Sequence, residues 1–62
     1  MSRVRAVRVR EGQEGGGEAL GCETGETLAL LREDGRRGWC RADDGREGWV
    51  ALDRLVDVPA WP

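Results

Sequence analysis

The most continuous apolar run in this sequence is Thr27-Leu28-Ala29-Leu30-Leu31, only five residues long. A run of that length fits a strand better than a helix. A chain made of such pieces must gather its core from several short strands. Residues 3–10 (RVRAVRVR) alternate apolar and charged, the period-two mark of a half-buried strand. Ala6 and Val7 are adjacent, so the alternation shifts phase once, which fits a kink or twist there. Residues 11–18 (EGQEGGGE), with four Gly and three Glu, have nothing to pack and read as a long mobile loop.

Further along, residues 19–22 (ALGC) read as a strand end. Glu23-Thr24-Gly25-Glu26 reads as a tight turn, with Gly25 supplying the positive φ of a type II turn. After the Thr27–Leu31 strand, Arg32 to Gly38 (REDGRRG) reads as a charged loop. Trp39-Cys40-Arg41-Ala42 restarts a strand, and Asp44-Gly45 is a hairpin signal that returns the chain as Glu47-Gly48-Trp49-Val50. Ala51 to Arg54 suits one helical turn, Leu55-Val56 a last strand, and Pro59 and Pro62 end regular structure. Five short strands, a single 3-10 turn near residues 51–54 and no segment long enough for a helix specify an all-β architecture, a small barrel or sandwich.

Size and charge narrow the function. Sixty-two residues form one domain (1–62) that buries about 60% of the surface its unfolded chain exposes, which leaves no room for a nucleotide-binding fold, an enzyme barrel or a buried cofactor. No window approaches the ~18 apolar residues of a membrane span. The opening Met-Ser-Arg-Val-Arg alternates and so argues against a signal peptide; a cytoplasmic chain is expected. Ten Arg face twelve Asp plus Glu, for a net charge of −2, which disfavours nucleic acid as a partner. His is absent, removing the commonest general base and metal ligand, and two cysteines do not make a zinc site. Cys22 and Cys40 read as free thiols. No nucleophile–base pair exists, so neither an enzyme nor a cofactor or metal is expected.

Three stretches together resemble the Src homology 3 (SH3) family over about residues 4–57, leaving 58–62 as a tail. Ala6-Val7-Arg8-Val9-Arg10 stands where that family has its ALYDY strand. Leu20 to Leu28 (LGCETGETL) is similar to L-S-F-x-x-G-D-x-L. Trp39-Cys40-Arg41-Ala42 with Gly45-Arg46-Glu47-Gly48-Trp49-Val50-Ala51 is similar to W-W-x-A…G-R-E-G-x-x-P. The resemblance implies a five-stranded SH3-like barrel with a core of Val4, Ala6, Leu20, Cys22, Leu28, Leu30, Ala42, Val50 and Leu55. It makes Cys22 a small buried hydrophobe, and Cys40, standing for a second Trp, the more exposed thiol.

The resemblance also implies a non-catalytic protein–protein interaction module of the adaptor or scaffold kind. Such modules hold proline-rich peptides between aromatic ridges, with an acidic loop pairing a ligand Arg or Lys. At the ridge positions this chain has Arg8, Arg10, Arg54 and Ala51, and only Trp39 remains aromatic. A guanidinium brings permanent charge and five donors where an apolar face is needed. Trp39 and Trp49 flank the expected specificity pocket, beside Glu11, Glu14 and Glu18 of the long loop, an arrangement suited to a ligand cation. Arg8, Arg10 and Arg54 are expected to converge on one face and take an acidic segment. The partner is thus a proline-rich peptide carrying Arg or Lys, or an acidic segment. Two other readings stay open: a small nucleic-acid-binding barrel using Arg3, Arg5, Arg8 and Arg10, and a structural domain docked within a larger scaffold protein. Trp61 reads as a tail residue.

Overall fold

The computed structural model describes residues 4–58, so the expectations on Arg3, Pro59, Trp61 and Pro62 lie outside the described residues. Five strands, β1 (Arg5–Val9), β2 (Thr27–Asp34), β3 (Arg37–Arg41), β4 (Glu47–Ala51) and β5 (Leu55–Asp57), form one antiparallel sheet in the order β4-β3-β2-β1-β5. A 3-10 turn, Leu52–Arg54, joins β4 to β5. The all-β expectation holds, including the place of that turn. Gly25 takes φ +92° and Glu26 N–H donates to Glu23 O at 3.0 Å, the type II turn read from Glu23–Glu26. Residues 19–22 do not form a strand; Cys22 makes one isolated bridge, to Gln13, and Ala19 two, to Gly16 and Trp49.

β1 buries a different face from the one expected. Val7 and Val9 are in the core, whereas Val4 is 56% exposed and Ala6 is exposed too. Pairing with β2 runs through Arg5–Arg8 without a shift, so no register break marks the phase change at Ala6–Val7. In an unkinked strand, turning Val4 and Ala6 inward would carry Arg8 and Arg10 in as well, because one residue of register flips every side chain. The observed phase leaves both arginines in water and buries two valines in place of a valine and an alanine, a gain of roughly 1.5 kcal/mol at ~0.8 kcal/mol per methylene.

The rest of the core is Leu20, Cys22, Leu28, Leu30, Cys40, Ala42 and Val50, with Leu52 and Leu55 packed against it half-buried. Cys40 is 0% exposed, contrary to its expected exposure. Alternation along β3 is the cause: Gly38, Cys40 and then Ala42 face inward while Trp39 and Arg41 face out.

The charged loop expected over 32–38 is also replaced. β2 continues to Asp34 and β3 begins at Arg37, leaving Gly35-Arg36 as a two-residue connection. Gly35 takes φ +65° and Arg36 a negative φ, the arrangement of a type II′ hairpin turn. One extra residue, Leu31, is inserted where the register shifts between Leu30 and Arg32.

Candidate functional site

Trp39 on β3 and Trp49 on β4 stand directly opposite each other on the outer face, since their neighbours Gly38, Cys40, Gly48 and Val50 point inward. Their rings meet edge to face, with centroids 5.1 Å apart and planes at 79°, a favoured geometry for two indoles. Trp39 Nε1–H donates to Glu47 Oε1 at 2.8 Å, which sets the ring's orientation. Both indoles are half-buried.

One wall beside them is the Glu-rich loop, expected to be mobile but tied to β4. Gln13 and Cys22 exchange backbone hydrogen bonds at 2.9 and 3.0 Å. Trp49 N–H donates to Glu18 O at 2.7 Å, and Leu20 N–H donates to Trp49 O at 3.1 Å. The Gln13 side-chain amide donates to both Leu20 O and Trp49 O, at 2.8 and 2.9 Å, pinning the loop from beneath. The loop reaches β4 this closely because Gly48 has no Cβ there; one would lie 2.6 Å from Leu20 N and 2.7 Å from Glu18 O. Glu14 and Glu18 are exposed on this loop.

The opposite wall is the β2–β3 hairpin. Its two-residue turn puts Arg32 across from Trp39 and Arg37 across from Ala51. The Arg37 guanidinium carbon lies 4.0 Å from the Trp49 ring centroid, and that of Arg32 lies 5.5 Å from Trp49 and 5.8 Å from Trp39. Arg37 also pairs with Asp34 at 3.3 Å. The turn is held down by Leu52 N–H, which donates to Arg36 O at 2.8 Å. Between the walls runs an open cleft of about 490 Å³, with Gln13 and Ala19 on one side, Asp34, Arg36 and Arg37 on the other, and Trp49 and Ala51 as its floor.

Of the site residues expected from the sequence, Trp49 and Ala51 line this cleft, Trp39 packs on Trp49 at its edge, and Glu18 meets Trp49 through its backbone. Arg8, Arg10 and Arg54 do not line it. Arg8 is exposed on β1, opposite Thr27 and Val56. Arg10 is exposed, and its N–H donates to Arg54 O at 2.7 Å. The Arg54 guanidinium turns to the long loop instead, donating to Gly12 O at 2.8 Å and facing Glu11 at 3.6 Å. The residues missed are Gln13, Arg32, Arg36 and Arg37. Gly35 followed by Arg36 was the signal for the last three, because Gly at the first loop position suits a two-residue type II′ hairpin, which fixes which side chains face each other.

Both thiols are free and buried. Burial pushes Cys40 up to about 11, with Cys22 nearby adding to it, and raises Cys22 as well, so neither is a ready nucleophile. Among the described residues no three His, Cys, Asp or Glu side chains are grouped to hold a metal ion.

No protein-family model matches the sequence, and no curated protein matches it. Among solved structures the chain is similar to the C-terminal SH3 domain of myosin IB from Entamoeba histolytica, solved with a peptide bound. The TM-score is 0.85 at 20% identity, over 95% of this chain and 100% of that one. The fold is that of an SH3 domain.

Proposed function

We propose that this chain is a non-catalytic interaction module that binds an extended peptide in the cleft beside Trp49, and that the peptide is acidic. The neighbour of the same fold carries a peptide, which supports the peptide-binding half of the reading. The acidic half rests on one observation: in a chain of net charge −2, three arginines, Arg32, Arg36 and Arg37, gather at the tryptophan cleft. Guanidinium forks bind carboxylates through two parallel charge-assisted hydrogen bonds, roughly twice as strong as neutral ones. Ala51 adds an apolar floor without the flat ring or proline face that stacks ligand prolines, so main-chain and carboxylate contacts carry the binding.

Titrating the 15N-labelled domain with an Asp/Glu-rich peptide, an Arg-containing proline-rich peptide and a short oligonucleotide tests this. The acidic peptide is expected to move the Trp49 indole and the Arg37 and Ala51 amides, and to weaken as salt rises. Tighter binding of the proline-rich peptide, or shifts confined to Arg8 and Arg10, refutes the acidic-cleft reading.

A further inference from the structure

We infer that Arg37 is an internal occupant of a cation subsite on Trp49, and that by filling it this residue sets the charge preference of the cleft. The inference deepens the peptide-binding reading above and rests on it. The subsite is demonstrated by what sits in it. A guanidinium carbon 4.0 Å from an indole centroid is well inside the ~6 Å reach of a cation–π contact. Asp34, 3.3 Å from the same guanidinium, completes a carboxylate–cation–indole stack within the cleft wall. Arg32 approaches the same ring at 5.5 Å. An arginine or lysine arriving on a ligand therefore meets a covered ring, a carboxylate already paired and two like charges. A ligand carboxylate meets the reverse, because among the described residues Arg37 keeps donors free beyond its contact with Asp34.

The occupant is held loosely enough to matter. The Arg37 and Asp34 side chains are each more than half exposed, and such pairs are weak. Substituting Arg37→Gln removes the nearer of the two guanidinium groups over Trp49 and releases Asp34 beside it, so the variant gains what the native chain lacks, an uncovered indole face with its own unpaired carboxylate and only the more distant Arg32 as a like charge.

The test measures binding of a proline-rich peptide containing one arginine, and of its citrulline counterpart (same shape, no charge), to the native chain and to Arg37→Gln. The expected result is about tenfold tighter binding of the arginine peptide by the variant, with the Trp49 indole resonance shifting and no gain for the citrulline peptide. No gain, or equal gains for both peptides, overturns the inference. The outcome does not use the acidic peptide: failure of that peptide to bind the native chain sinks the function proposed above without touching this readout. Thermal melting confirms that the variant is folded. A measurement on the native chain stands apart from the variant: stacking on Trp49 must shift the Arg37 δ-methylene protons upfield, and ordinary shifts for them overturn the inference as well.

Discussion

Replacing Gly48 with alanine should unfold much of this domain, although it adds a single methyl group. The new Cβ would lie 2.6 Å from Leu20 N, 2.7 Å from Glu18 O and 2.9 Å from Leu20 Cα, all backbone atoms that no rotamer change can move. Relief requires the long loop to back away from β4, which breaks the bonds from Trp49 N–H to Glu18 O and from Leu20 N–H to Trp49 O, at 2.7 and 3.1 Å. Two such bonds contribute about 1 kcal/mol each, and forcing a methyl into a packed contact costs about 1–3 kcal/mol more, a total of roughly 3–5 kcal/mol. A domain of this size rarely has more than ~3–5 kcal/mol in all. Urea titration followed by tryptophan fluorescence and circular dichroism measures the loss. Gly16→Ala is the control, since nothing lies within 4 Å of its added Cβ, and it should stay within about 0.5 kcal/mol of the native chain. A loss below about 1 kcal/mol for Gly48→Ala would show that the loop leaves β4 freely, and that the cleft wall is not held by this approach.

Two further outcomes follow from the core and the loop anchor. Burial holds the folded Cys40 thiol near 11 against 9.0 in the unfolded chain, so the folded state keeps its proton longer. The stability this contributes is therefore intact below pH 9 and lost between about pH 9 and 11, on the order of 2–3 kcal/mol; denaturant midpoints at pH 8 and 10.5 check it, and Cys40→Ala should flatten the slope. Arg54→Ala removes the donor to Gly12 O and the partner of Glu11, and should cost about 1 kcal/mol with faster amide exchange along residues 11–18; unchanged exchange there would contradict the anchoring role.

Much of the architecture was written in local signals. The positive-φ glycine at Gly25 and the single turn over 52–54 follow from turn chemistry that needs no knowledge of distant partners, whereas inward-facing Leu20, Cys22, Leu28, Leu30, Ala42 and Val50 were implied by the family resemblance, with the two-residue spacing of 20/22 and 28/30 in agreement. β1 was ambiguous for a physical reason: RVRAVRVR carries two period-two patterns out of phase, and only pairing with β2 and β5, together with the penalty for burying Arg8 and Arg10, selects one. Cys40 was misplaced when its position was judged by what stands there in other chains; the alternation of β3 with Trp39 already turned it inward. The site was half legible. Trp39, Trp49 and Ala51 were identified from the motif they sit in. The arginines that stand at the cleft were not, because all ten cations are the same residue type and nothing local marks which of them stacks on an indole.

What distinguishes those arginines is register, and register here descends from one dipeptide. Gly35-Arg36 closes the β2–β3 hairpin in two residues, so Asp34 pairs with Arg37 and the ladder then places Arg32 against Trp39. β4 carries the same register on, setting Trp39 against Trp49 and Arg37 against Ala51. A connection longer by several residues would fray the end of the β3–β4 ladder, where Arg37 faces Ala51, and let both arginines swing into solvent, while the two tryptophans, two pairs further in, stay opposite each other. Turn length and the charge of the cleft are therefore linked in this chain: the glycine that tightens the hairpin also brings guanidinium groups over the indoles. Lengthening the turn with Gly-Ser insertions after Gly35 should then reproduce the gain for cationic peptides expected of Arg37→Gln, with no arginine removed. If the lengthened hairpin folds and still rejects the arginine peptide, the hairpin is not what keeps that subsite filled.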